Sequence, residues 1–305
     1  MGSTVTQAKG REVFPFLAEQ FEQLYLRPQA EGNPEYRNVV LAGESPSSRN
    51  LGHFIGSDAD ECVLMETPAG MVRTVTIHER RDFETALMCI AHKCRITDIP
   101  LTQGASILDG VISWHAIHAH QKEFLSQGHR EEEWNEEFAR FTKDKKNYTQ
   151  ALILLSVGPY SAVPASVLAK EEDAWIKESD TIRRYHECTH FVARRLYRDQ
   201  IDPLFDELAA DAVGIYAAYG HYDRPIADRV LGLENGTYIG GRLENYLKEP
   251  KADYIPQAVK RVPIVMDRIQ KLLAQEKTDN PFDITILIEE HQKDLMQGIS
   301  FDDIA

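Results

Sequence analysis

Three residues in the stretch RRYHECTHFVARRLY could do chemistry together: His186, Glu187 and His190. On a helix, side chains four apart lie on one face about a turn apart, so the two imidazoles converge beside that face. Neutral imidazoles at that spacing supply two ligands to a tetrahedral Zn2+. Glu187 is about 100° further round at 3.6 residues per turn. From there a carboxylate reaches a metal-bound water without binding the metal, and takes its proton. The plainer alternative is an amphipathic helix with an Arg183 and Glu187 ion pair and two partly buried histidines.

A catalytic zinc needs a third protein ligand and an open fourth position. The segment DELAADAVG offers one, because Glu207 and Asp211 share a helical face with Ala210 and Gly214. Small residues let this helix approach the first, and the short connection RDQIDP makes the pair antiparallel. A carboxylate in such a seam is costly unless something compensates it. A metal accounts for Glu207, and a hydrogen bond to a ligand imidazole accounts for Asp211.

The pattern HECTH, followed 17 residues after His190 by the Glu of ELAAD, resembles the gluzincin metallopeptidases. The resemblance spans about residues 156 to 220. It implies His186, His190 and Glu207 as zinc ligands, Glu187 as general base and acid, and Asp211 as the residue that orients a ligand histidine. Ala193 stands where a metzincin would continue its motif, which disfavours that class. The resemblance also implies a downstream Tyr or His that stabilises the tetrahedral intermediate. Tyr238, His221, Tyr222 and Arg242 qualify; Tyr238, in the Gly-rich NGTYIGG, is the choice.

The elements that must hold these residues follow from periodicity. A helix is expected from Asp180 to about Arg198, and a second over LFDELAADAVGIYAAYG, ending at Gly220. The apolar run ALILLSVG reads as a buried strand that lines the cleft and pairs with an extended substrate. Upstream, Phe14 to Leu26 has helical spacing, NVVLA reads as a short strand, and CVLMETPAGMVRTVTI as a hairpin. RRDFETALMCIAHKC and SILDGVISWHAIHAHQKEFL read as helices, the latter weakened at Gly110. Further helices are expected downstream, around the Gly-rich turn. The expected fold is α+β. A zincin-like half over 150–305 packs a small sheet on the two motif helices, and a mixed α/β region over 1–149 precedes it.

Bulk properties narrow the partners. The chain has 305 residues, 48 acidic against 34 basic, and a net charge of −14, so its surface repels polyanions and nucleic acid is not an expected partner. No apolar run approaches the roughly 20 residues that span a bilayer, and no signal-like segment opens the chain. Gly2 and Thr6 fit a loose myristoylation pattern. Cys62, Cys89, Cys94 and Cys188 read as reduced thiols of a cytoplasmic protein. The Cys89, His92, Cys94 and His115, His118, His120 groups lack zinc-site spacing. Among Arg183, Arg184, Arg194, Arg195 and Arg198, pairing with nearby carboxylates is the expected role, with a substrate carboxylate the alternative. The expected activity is zinc-dependent hydrolysis of a peptide or small amide substrate. The alternatives are a tailoring hydrolase acting on a non-peptide small substrate, and a binding protein that keeps the scaffold without turnover.

Overall fold

The computed structural model describes residues 4–198 and 202–305. Gly2, and residues 199–201 of the connection between the motif helices, lie outside the described residues. The chain divides into two compact units, one of residues 4–64 and 72–156, the other containing 65–71 and 157–305.

The first unit is built on a five-stranded sheet in the order β1-β2-β3-β5-β4 (β1 Thr4–Lys9, β2 Glu61–Thr67, β3 Gly70–Ile77, β4 Ala105–Ile112, β5 Thr149–Ser156). β3 and β5 run parallel, and β4 pairs antiparallel to β5 at the edge. The expected hairpin is β2 and β3. The continuous apolar run of β5 suits a central strand buried on both faces, and Leu152, Ile153, Leu154 and Leu155 are all fully buried. This run belongs to the sheet, so the division falls between Ser156 and Val157.

Four helices complete this unit: α1 (Val13–Gln20), α2 (Arg80–Ala91), α3 (Trp114–Ser126) and α4 (Trp134–Phe141). Two expectations need correction. Residues 105–112, expected as the start of a helix, are strand β4, with its register shifting between Leu108 and Val111 around Gly110. The helix begins only after Ser113, whose hydroxyl caps Ala116 N. The expected strand NVVLA is instead a π-helical turn, Arg37–Ala42. Gly43 closes it in the left-handed region, where a Cβ would strike the Trp114 ring. Cys94, past the end of α2, folds back at φ 54°, so its thiol hydrogen-bonds Cys89 although the two share no helical face.

The second unit is helical: α5 (Glu172–Leu196), α6 (Pro203–Tyr219), α7 (Arg224–Leu231), α8 (Lys251–Leu273), α9 (Pro281–Glu290) and α10 (Gln292–Leu295). α5 starts eight residues before Asp180, with Glu172 and Asp173 in the first turn and Arg194 and Arg195 in the last, charges that complement the helix dipole. In α6 the Asp202 carboxylate caps Leu204 N and Phe205 N, Pro203 opens the first turn, and Gly220 ends the helix at φ 71°. The strands described in 157–305 form only the ribbon of β6 (Leu233–Glu234) and β7 (Thr237–Tyr238). The run ALILLSVG, expected beside the motif helices, lies in the first unit's sheet. No helix of the described residues is long and apolar enough to cross a membrane.

Candidate metal centre

α5 and α6 pack closely because Gly214 faces Ile182, where a Cβ would lie 2.5 Å from the Ile182 carbonyl oxygen. One turn along α5 from Ile182 is His186, and one turn back along α6 from Gly214 is Asp211. Close approach at one pair therefore brings the candidate residues of both helices into register.

His186, His190 and Glu207 offer ligand atoms within 4.8 Å of one another. The two Nε2 atoms are 3.0 Å apart. Glu207 Oε2 lies 3.4 Å from His186 Nε2, and Oε1 3.5 Å from His190 Nε2. Both imidazoles are buried. Each Nδ1 is engaged by a carboxylate: His186 with Asp211 Oδ1 at 3.0 Å, and His190 with Asp206 Oδ2 at 2.7 Å. Those bonds place the ring proton on Nδ1 and leave the Nε2 lone pairs facing one another and the Glu207 carboxylate. Three electron-pair donors converging on one buried point repel unless a cation, proton or metal, sits between them. These residues fit a metal ion by that test, and can hold one.

The electrostatics agree. Burial disfavours the charged form of His186, but Asp211 and Glu207 outweigh it and lift its pKa to about 10. Burial pushes Glu207 up, and His186, His190 and Arg242 more than reverse it, holding the carboxyl well below its ordinary range. Asp211 is likewise held low against burial by Arg242 and His186.

Residues 2–292 match the model of a family of unknown function, DUF7005. The chain belongs to this family. No curated protein and no solved structure matches it.

The DUF7005 chain places the remaining sequence candidates differently. Glu187 is half-buried on α5, one residue beyond His186. Asp211 contacts His186. Tyr238 does not join the cluster: its hydroxyl shares its one proton between Gly241 O and Glu244 Oε2 and accepts from Gly241 N, fixing the Gly-rich turn. His221 is exposed and bonds Tyr219 O. Of the downstream candidates Arg242 reaches the site, where it donates to Tyr160 OH at 2.8 Å and pairs with Asp211. Arg183 donates to the Gly158 and Pro159 carbonyls, and Cys188 is a core thiol raised to about 12 by burial.

Sequence reasoning missed four residues around the DUF7005 site. Asp206 adjoins Glu207, and its place beside a candidate ligand was the available signal. Tyr160 comes from the loop before α5, and its hydroxyl donates to Asp211 Oδ1 at 2.6 Å. Tyr246 feels the Glu207 carboxylate; burial and that charge hold its phenol above the ordinary range. Glu289, on α9, is buried; its Oε1 and Asp206 Oδ1 have no hydrogen-bond partner among the described residues. The last three are single residues with no spacing pattern that marks them.

Proposed function

We propose that this chain is a zinc-dependent hydrolase of the gluzincin type, cleaving a peptide or small amide bond. The observation that carries the reading is the convergence of two imidazole Nε2 atoms and one carboxylate, with each imidazole backed by a second carboxylate. Two histidines and one glutamate are a ligand set suited to a catalytic zinc with an open position. When bound, Zn2+ acts as a Lewis acid toward a carbonyl and lowers the pKa of a coordinated water to about 7. The chain's own groups do the rest. His186 and His190 are held in the Nδ1–H form by Asp211 and Asp206, and Glu207 is held as the carboxylate. Glu187 takes the proton of the attacking water and delivers it to the leaving nitrogen. Stabilisation of the intermediate passes, in this reading, from Tyr238 to Tyr246 and Arg242, which border Glu207 and Asp211.

The test is elemental analysis of untagged protein, wild type beside Glu207→Ala, with a screen of peptides and acylated amides run with and without a chelator. About one zinc per chain, lost in the variant, is expected. Glu187→Gln should keep the zinc and lose hydrolysis by a factor of at least ~100. A wild type that takes up no zinc ends the reading, and a Glu187→Gln variant with full activity removes the assigned base.

A further inference from the structure

The partner of His186 is not Asp211 alone. Tyr160 OH lies 2.9 Å from His186 Nδ1, as close as Asp211 Oδ1 at 3.0 Å. The phenol is fully enclosed and every hydrogen-bonding position on its oxygen is assigned. It donates to Asp211 Oδ1 at 2.6 Å and accepts from Arg242 Nη1 at 2.8 Å, which leaves one lone pair for Nδ1. Asp211 is equally committed, with Oδ1 receiving Tyr160 and His186 and Oδ2 receiving Arg242. A ring bearing its proton on Nε2 would set the Nδ1 lone pair against lone pairs of Tyr160 and Asp211. Only the Nδ1–H tautomer satisfies all four groups.

The loop that delivers this hydroxyl is fixed on both sides. Tyr160 N donates to Ser179 Oγ at 2.9 Å, Arg183 holds the Gly158 and Pro159 carbonyls, and Trp175 Nε1 donates to Val163 O at 2.7 Å. Two consecutive non-glycine residues, Ser161 and Ala162, have φ of 53° and 58°. Such conformations cost on the order of 1 kcal/mol each and persist only where their surroundings demand them. Arg242 and Arg183 flank the ring, their guanidinium carbons 5.0 and 5.8 Å from its centroid, so the ring cannot pivot without moving a buried charge.

We infer that Tyr160 is a positioning residue of the metal centre: its hydroxyl, braced by Arg242 and Asp211, sets the tautomer and plane of His186 so that Nε2 faces the ion. The inference rests on the metal reading above and adds to it a residue outside the motif. His190 is held differently, by Asp206 and by no tyrosine among the described residues, so loss of the Tyr160 hydroxyl should disturb one ligand of the three.

The experiment compares wild type, Tyr160→Phe and His186→Ala. Zn2+ affinity is read by competition with a chromophoric chelator, and the site by the visible ligand-field absorption of the Co2+-loaded proteins. Expected are stoichiometric binding by wild type and its loss in His186→Ala. Tyr160→Phe should bind about 10–100-fold more weakly with shifted Co2+ bands, in addition to a lower metal-free thermal midpoint from the buried hydrogen bonds it loses. A purely structural tyrosine would move the midpoint and leave the bands in place, and that result overturns the inference. So does a variant with wild-type affinity and spectrum, in which case the metal reading stands. A wild type that binds neither Zn2+ nor Co2+ overturns both. Should Tyr160→Phe not fold, 3-fluorotyrosine at position 160 keeps the hydroxyl while weakening it as an acceptor. A several-fold loss of affinity is then expected, and an unchanged affinity counts against the inference.

Discussion

Glu289 is the residue whose chemistry is least explained by packing. It is 4% exposed, and its carboxyl is raised to about 7 by burial first and then by Asp206, with His190 acting in the opposite direction. A carboxyl with a folded pKa above its ordinary 4.5 favours the folded state most below pH 4.5, where both states are protonated. That advantage is lost as pH rises toward 7, because the folded state must give up a proton it holds more tightly. At 1.36 kcal/mol per pKa unit, the loss by pH 8 is at most about 3.4 kcal/mol. Glu289→Gln keeps the shape and removes the ionisation. Denaturant titrations of chelator-treated protein should therefore show the variant close to wild type at pH 5 and more stable by 1–3 kcal/mol at pH 8. The same difference at both pH values would mean that Glu289 ionises normally, and the buried-acid account would fail.

Helix α5 and helix α6 meet through Gly214, and this contact sets the separation of the proposed ligands. Gly214→Ala gains about 1 kcal/mol of helix propensity, but its Cβ meets backbone at 2.5 Å. Overpacking against an immobile carbonyl costs roughly 1–3 kcal/mol, so net destabilisation is expected in denaturant titrations, together with weaker zinc binding as Glu207 is levered away from His186 and His190. A more stable variant with unchanged affinity would show that the helices can separate freely. The contact also explains what could be read from the sequence. The proposed ligands follow from helical spacing, which is local, and Gly214 is on the same stripe, so HECTH and ELAAD sufficed to place His186, His190 and Glu207 together. Tyr160, Arg242 and Glu289 arrive through loops and packing, which leave no period behind. The same limit misread residues 105–112: a short apolar run holding Gly110 is strand or helix until its neighbour is known, and the pairing with Leu152 to Leu155 decides it. Val39 and Val40, read as part of a short strand, have no sheet partner among the described residues, and both are buried in a π-turn instead.

At the scale of the whole chain there are two separate cores. One draws its buried apolar residues from Tyr160 to Ile304, the other from Val13 to Leu154. All three proposed ligands belong to the first of these. A ligand that binds only the folded form stabilises it by RT ln(1 + [L]/Kd), about 4 kcal/mol at a thousandfold excess over Kd. Zinc joining α5 to α6 should place that energy in the unit that contains them. Amide hydrogen exchange on zinc-loaded and chelator-treated protein can locate it. Protection should fall in α5 around residues 183–193 and in α6 around 204–214, while amides of β3 and β5 exchange as before, because their protection reports openings of a core that the metal does not span. Equal loss across the sheet would show that the two cores open as one cooperative block. No change in either helix would mean that no metal links His186 and His190 to Glu207.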